Sequence, residues 1–270
     1  MHPLVNIAVM AARAAGNFIM RSFDRADQLT VERKARNDFV TQVDRGAEAE
    51  IIRHIRKAYP DHAILAEESG FLGSEKAGPR GDSDVTWIID PLDGTTNFLH
   101  RIPHFAVSIG VKVKDRIEHG VIYAPCTQDL YSASRGQGAV LNSRKLRVSA
   151  CRDLSQALIG TGVPLSEEYL DHYTTMLRNV ARETAGVRRA GSAALDLAYV
   201  ASGRLEGFWE YNLKPWDMAA GIVLVQEAGG VVRELEGGDD VLASGHVLAG
   251  TVGLIDPLSE LLPRRRPAAA

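Results

Sequence analysis

The sequence predicts an α/β protein of α+β organisation, built in layers from two packed halves. Three features carry that expectation. Between His104 and Val148 one short apolar run follows another, separated by Gly and polar turns, which is the pattern of an antiparallel sheet. Beyond about residue 153 strands alternate with helical periods, which implies helices layered on a sheet. No internal repeat or long linker divides the 270 residues. An N-terminal half of about 1–152 and a C-terminal half of about 153–262 are therefore expected to share an interface and a cleft within one domain.

In chain order, residues 3–23 read as an amphipathic helix with Ile7, Ala11, Ala15 and Phe18 on one side. Leu29–Glu32 and Asp38–Gln42 alternate as two short strands around polar residues 33–37. A helix from about Asp44 to Ala58 turns Ile51, Ile52 and Ile55 inward and stops before Pro60. Ala63–Ala66 is a short apolar strand whose end carries Glu67-Glu68-Ser69, and residues 70–84, rich in Gly, Ser and charge, read as a mobile loop. The buried strand Trp87–Asp90 comes next, then strands at Phe105–Val113, Glu118–Tyr123, Leu130–Ser134 and Ala139–Leu141. In the second half, strands are expected at Ala157–Gly160, Val187–Arg188, Gly207–Glu210, Val231–Arg233 and His246–Ala249. Helices fall at Ser166–Thr184, Ser192–Ser202, Asp217–Ala228 and up to about Leu262, leaving 263–270 as a solvated basic tail.

Composition narrows the function. A hydrophobic share of 45% with 24% charged residues is that of an ordinary soluble globular protein, and a net charge of −3 gives no electrostatic case for nucleic acid. Two cysteines, Cys126 and Cys151, make no disulfide framework, which suits a reducing cytoplasm. Asn6, Arg13 and Asn17 interrupt the apolar residues of the first helix, so it is not read as a signal peptide, and no stretch is read as a membrane span. The histidines show no paired spacing for zinc.

The chemistry concentrates in W-I-I-D-P-L-D-G-T-T-N-F at 87–98. A buried strand ends in Asp90 and Asp93, which flank a proline that fixes φ, and the chain then turns over Gly94 into a helix. Hard cations such as Mg²⁺ take oxygen ligands, and two fixed carboxylates plus a carbonyl supply them. Gly94, Thr95 and Thr96 present backbone N–H groups at a helix start, where a phosphate is favoured. Cation and phosphate sites within six residues point to metal-assisted phosphate chemistry. Glu67 is favoured over Glu68 as a further ligand, because neighbouring strand residues face opposite ways. Asp217, after Pro215-Trp216, reads as an N-cap or as a cation ligand, and one carboxylate can do both. Asp44 starts a helix, Thr41 and Thr95 are hydroxyls with no packing role, and Lys34, Arg36, Arg188 and Arg189 are possible phosphate counter-charges. Glu210 ends an aromatic strand, where a carboxylate can accept hydrogen bonds from a polyol.

E-E-S at 67–69, the 87–98 motif and P-W-D-M-A-A-G at 215–221 resemble the three hallmark motifs of the inositol monophosphatase family. N-D-F-V-T-Q-V-D at 37–44, R-G-Q-G-A at 135–139 and R-R-A-G-S-A-A-L-D-L-A-Y-V-A-S-G-R at 188–204 resemble its bacterial SuhB branch. The resemblance implies a layered α-β-α-β-α sandwich of the inositol monophosphatase/fructose-bisphosphatase type, hydrolysing a sugar-alcohol phosphate with Mg²⁺. It implies that Glu67, Asp90 and the Leu92 carbonyl hold one cation, that Asp90, Asp93 and Asp217 hold a second, and that Glu67 assists a third. Thr95, hydrogen-bonded to Asp44, would orient the attacking water, with Glu67, Thr95 and Asp44 as the catalytic set. Leu92, Asp93, Gly94, Thr95, Arg188, Ser192, Ala193, Glu210 and Asp217 would meet the substrate, the N–H groups of Gly94 and Thr95 binding phosphate. Two cations ~3.5–4 Å apart clamp the attacking and leaving oxygens of an in-line displacement.

The leading expectation is a lithium-sensitive phosphatase of inositol 1-phosphate, homodimeric and cytoplasmic. Fructose 1,6-bisphosphate, histidinol phosphate and a nucleotide 3′-phosphate stay open as substrates, because the motifs define the metals better than the leaving group. The SuhB branch also implies a second class of function, transcription antitermination and ribosomal RNA synthesis through Nus factors and RNA polymerase. With a net charge of −3 such a role would run on protein contacts rather than direct RNA binding.

Overall fold

A computed structural model describes residues 2–23, 31–35, 38–73, 84–164 and 167–264, with backbone alone for 31–35 and 38–41. Expectations for Lys34, Arg36 and the Thr41 side chain, for the bulk of the 70–84 loop and for the end of the basic tail lie outside the described residues.

Helix α1 (Pro3–Phe23) and helix α2 (Gln42–Ala58) flank a hairpin of β1 (Val31–Ala35) and β2 (Asp38–Thr41). The first strand runs to Ala35, beyond its expected end at Glu32, and α2 begins two residues before Asp44. An eight-stranded sheet follows, from β3 (Ala63–Ala66), β4 (Gly70–Leu72), β5 (Val85–Asp93), β6 (Ala106–Val113), β7 (Arg116–Ala124), β8 (Asp129–Ser134), β9 (Gly138–Leu141) and β10 (Arg144–Lys145). Its order is β10-β9-β8-β7-β6-β5-β3-β4, antiparallel throughout except where β3 runs parallel to β5. The short helix α3 (Thr95–Leu99) interrupts it directly after β5.

The second sheet comprises β11 (Leu158–Thr161), β12 (Gly186–Arg188), β13 (Gly207–Glu210), β14 (Val231–Glu234) and β15 (Val247–Gly250), in the order β12-β11-β13-β15-β14. Its helices are α4 (Glu167–Glu183), α5 (Ala193–Ala201), α6 (Pro215–Glu227), α7 (Val241–Ser244) and α8 (Ile255–Leu261). The edge strands β4 and β10 and the one-turn α7 were not expected. Each is two to four residues long, too short for periodicity to register. Gly70–Leu72 in particular is strand rather than mobile loop, held by pairing with β3.

The layers follow from alternation. Along β5, Trp87 and Ile89 join the core formed with α1 and α2, while Ile88 faces the core formed with α5 and α6. Phe208 of the second sheet closes that same middle core, and Trp209 beside it packs outward with Tyr173 and Met176 of α4 and Leu258 of α8. The stack is thus the expected α-β-α-β-α sandwich. Both α5 and α6 are buried over most of their lengths, as a layer with a sheet on each side must be. Helix α1 has the length and apolar composition of a membrane span, but its Val5, Ala8, Ala11, Ala12, Ala15 and Ile19 are buried against α2 and the first sheet.

Candidate active site

The end of β5 makes the floor of a cleft. Pro91 has no N–H to give the ladder, and the strand bulges there. Asp90 pairs with Ser108 and Asp93 with Ala106, three steps on β5 against two on β6. Ser108 and Ala106 share a face, so the bulge turns Asp90 and Asp93 to that one face instead of opposite ones. It is the α6 face, where Ser108 Oγ donates to the Trp216 carbonyl oxygen at 3.1 Å and ties the start of α6 to β6.

Asp217 arrives from that helix start. The sequence suggested an N-cap, but α6 begins at Pro215, the position where proline suits a helix. Asp217 is therefore the third helical residue, and its Oδ2 accepts the Lys214 N–H at 2.7 Å. Glu67 follows β3, its N–H donating to the Ile89 carbonyl at 3.1 Å, and its side chain faces a cavity of about 440 Å³ shared with Glu210, Trp216 and Asp217. Glu68 points elsewhere. Its N–H and the Ser69 hydroxyl donate to Glu48, and it borders a separate cavity of about 520 Å³ with Arg45, Arg53 and Arg56. That larger cavity holds none of the clustered carboxylates, and Arg56 there is committed to the carbonyls of Pro60, His62 and Gly73.

Gly94 turns the chain with φ 97°, where a Cβ would press on the carbonyls of His104 and Gly191. The Thr95 hydroxyl then lies 2.9 Å from Asp44 Oδ1 and 3.0 Å from the Leu92 carbonyl oxygen. Both are acceptors for its one proton, so the hydroxyl oxygen keeps acceptor capacity for a further donor such as water. Asp44, almost fully buried, comes from the first turn of α2.

The opposite wall belongs to the second half. Ser192 caps α5, accepting the Leu195 N–H, and donates its own proton to Asp93 Oδ2 at 2.5 Å. The Ala194 N–H reaches the same oxygen at 2.8 Å. A third cavity, of about 160 Å³, is bordered by Asp93, Thr161, Arg189, Ser192, Asp196, Glu210 and Asp217. Arg189 borders this cavity, while Arg188, exposed like Arg189, donates to the carbonyl of Val187 beside it. A Cβ on Gly162 would overlap the Glu210 carboxylate, so glycine at 162 is what lets Glu210 enter the cavity.

These acids crowd together. Burial, then the charges of Glu67, Asp93 and Asp217, raise the Asp90 carboxyl well above its ordinary range. Burial lifts Asp93 to about 6 against the donors Ser192, Ala194 and Ala193. Burial and Asp93 push Asp217 up to about 8, and burial, Asp196 and Asp93 push Glu210 to about 8, with Arg189 opposing. A cluster of carboxylates that outnumbers the cationic side chains beside it, Arg189 and Lys214, is an environment for cations, and its oxygen donors suit a hard one. Among the described residues no three acidic, imidazole or thiolate side chains close on a single point. A cation there would complete its shell with the Leu92 carbonyl, water and substrate oxygens, as Mg²⁺ commonly does. The residues fit that ion.

Gly162, Asp196 and Asn97 were not singled out from the sequence. Asn97 Nδ2 donates to the carbonyls of His104 (2.8 Å) and Ala190 (2.9 Å), joining α3 to the loop before α5. Asp196 had a signal: it is the one charged residue in the otherwise apolar run Ala193–Ala201.

Known proteins share this architecture. The sequence pattern of the Inositol monophosphatase family spans residues 1–264. The "Nus factor SuhB" of Pseudomonas aeruginosa is 53% identical over 253 residues, covering 93% of this chain and 92% of that protein. The crystal structure of the extragenic suppressor protein suhB from Bartonella henselae superposes with a TM-score of 0.92 at 44% identity, covering 98% of this chain and 100% of that one. An inositol monophosphatase from Anabaena (Nostoc) superposes with a TM-score of 0.81 at 38% identity, covering 96% and 94%. With that span, that identity and the shared fold, this chain belongs to the inositol monophosphatase family.

Proposed function

We propose that this chain is a Mg²⁺-dependent phosphomonoesterase whose substrate is a sugar-alcohol phosphate, with myo-inositol 1-phosphate first among the candidates. The observation that carries this reading is the β5 bulge, which puts Asp90 and Asp93 on one face, opposite Asp217 and beside Glu67. Glu67, Asp90, Asp93, Asp217 and the Leu92 carbonyl would hold the cations, which supply charge neutralisation of the phosphoryl group and a more acidic water. Thr95, with its proton committed to Asp44 or Leu92, offers a lone pair to orient a water for in-line attack. The N–H groups of Gly94 and Thr95 meet the phosphate oxygens. Asp93, Ser192, Ala193 and Glu210 face the alcohol, and Arg189 takes the substrate-side role first given to Arg188. Residues 1–270 act as one phosphatase domain, with a basic tail at 263–270, whose two halves meet at this cleft.

Phosphate release from a panel of inositol 1-phosphate, fructose 1,6-bisphosphate, histidinol phosphate, a nucleotide 3′-phosphate and an aryl phosphate tests the proposal. Turnover should require Mg²⁺, fall at high Mg²⁺ as product release slows, and be inhibited by Li⁺. Full activity in excess EDTA would overturn it.

A second reading draws on the Pseudomonas relative's name. By that likeness this chain would also join Nus factors and RNA polymerase in transcription antitermination, as a cytoplasmic homodimer or its subunit. A pull-down of those partners by a variant lacking turnover, such as Asp93→Asn, separates the two roles. Capture undiminished in the inactive variant supports a binding role independent of hydrolysis, and no capture by either protein removes it.

A further inference from the structure

Asp196 is buried to 2% exposure, and its Oδ1 has no hydrogen-bond partner. A carboxylate oxygen left in that state carries a desolvation penalty, so such an atom calls for a reason. Helix capping does not supply one, because Ser192 already caps α5 and the Asp196 N–H is bonded to the Ser192 carbonyl. Packing does not supply one either, since every other residue of α5 is apolar or aromatic. What Asp196 does border is the cavity of about 160 Å³ that Asp93 also lines.

The chemistry of that cavity is one-sided. Asp93, Asp196, Glu210 and Asp217 bring carboxylates, and the Thr161 hydroxyl spends its proton on the Gly162 carbonyl. The Arg189 guanidinium is the charged donor among the lining residues. Such a space is satisfied by a ligand that brings several O–H donors, and it repels a second phosphate. We propose that Asp196 is a specificity-determining residue whose Oδ1 accepts a hydrogen bond from a substrate hydroxyl remote from the ester oxygen. This rests on the polyol-phosphatase reading above and extends it to a side chain one helical turn deeper than Ser192 and Ala193.

The experiment pairs Asp196→Ala and Asp196→Asn with myo-inositol 1-phosphate, its mono-deoxy analogues and p-nitrophenyl phosphate, which has no alcohol hydroxyls. Asp196→Ala should lower kcat/KM for inositol 1-phosphate at least about tenfold relative to the aryl phosphate, mostly through KM. Asp196→Asn, which keeps an acceptor oxygen, should recover part of that loss. The penalty should vanish for one deoxy analogue, the one lacking the hydroxyl that Asp196 reads. The Tm of Asp196→Asn should equal or exceed that of the natural protein, because a neutral amide replaces a buried carboxyl crowded by Asp93 and Glu210. Equal losses on every substrate, or a penalty that persists across all deoxy analogues, would assign Asp196 to structure and overturn the proposal. Were the natural protein inactive on the whole panel, the phosphatase reading would fall first, and the aryl phosphate shows which has failed.

Discussion

On the β5 side of the cleft, Asp90, Leu92 and Asp93 come from four consecutive residues and owe their positions to backbone geometry. On the α5 side, Gly162, Arg189, Ser192, Asp196 and Glu210 come from separate loops, a helix and a strand end. The first wall continues a strand whose Asp90 and Asp93 both stay paired with β6, so its donors have little freedom to move. The second is assembled by the packing of α5 and the smaller sheet. A wall held by the ladder suits the group common to every substrate, the phosphoryl group with its cations. A wall built from separable side chains suits the part that varies. Substitutions on the two sides should therefore fail differently, in turnover on one and in substrate choice on the other.

The largest effect is expected from Asp93→Asn, which keeps shape and loses charge where both walls meet. The kcat should fall by roughly 10³-fold or more on every phosphomonoester, since metal-assisted charge stabilisation is worth several kcal/mol. Far-ultraviolet circular dichroism should be unchanged. Substrate-dependent losses would mean that Asp93 belongs to the alcohol wall alone.

Asp217→Asn comes next, at roughly 10²–10³-fold in kcat by the same reasoning. The amide oxygen can still accept the Lys214 N–H, so the start of α6 survives. This variant isolates the ligand role from the capping role. Turnover like that of the natural protein at saturating Mg²⁺ would leave Asp217 as a cap only.

On the other wall, Glu210→Gln should raise KM for inositol 1-phosphate more than for an aryl phosphate. A lost hydrogen bond to a charged group corresponds to roughly ten- to a hundredfold in kcat/KM. Gly162→Ala should act through the same residue, because its new methyl would occupy the space of the Glu210 carboxylate. A loss of about tenfold on the polyol substrate is expected, and the double variant should be little worse than Glu210→Gln, as neighbours that share a contact are not additive. Additive losses, or equal losses on both substrates, would make 162 and 210 structural positions.

The contrast also explains what could be read from the sequence. The β5 wall was legible because its elements are contiguous: an apolar strand, a proline between two aspartates and a glycine turn can be recognised without tertiary knowledge. The layered fold was legible for a similar reason, since period-2 and helical runs are long in both halves. The α5 wall was legible only in part. Glu210 stood out at a strand end, but Gly162 matters solely because a carboxylate 48 residues later needs its space. The choice between Arg188 and Arg189 depends on where β12 stops, a one-residue distinction that pattern alone does not make. Asp217 was read at the N-cap and stands instead at the third helical position, because α6 begins two residues earlier, at Pro215.

The smallest effect, a shift in stability rather than turnover, tests whether the crowded acids are held for a cation. Folding raises the carboxyl of Asp93 to about 6 and those of Asp217 and Glu210 to about 8, from ordinary values near 4. A carboxyl raised in this way binds more protons in the folded chain than in the unfolded one. Its stabilising share is therefore complete below the unfolded value and is lost as pH rises through the folded one. In EDTA the Tm should fall by at least a few degrees between about pH 5 and pH 8, at roughly 2–4 °C per kcal/mol for a chain of this size. Saturating Mg²⁺ binds the ionised cluster and should recover the loss most strongly at the upper end of that range, because binding to the folded state adds stability by mass action. Asp93→Asn should flatten the EDTA curve, since its charge raises Asp90, Asp217, Glu210 and Asp196 alike. A chelated protein whose Tm is level across the window would mean that the acids are already neutralised by the chain itself, and the case for a cation on the β5 wall would lose its electrostatic support.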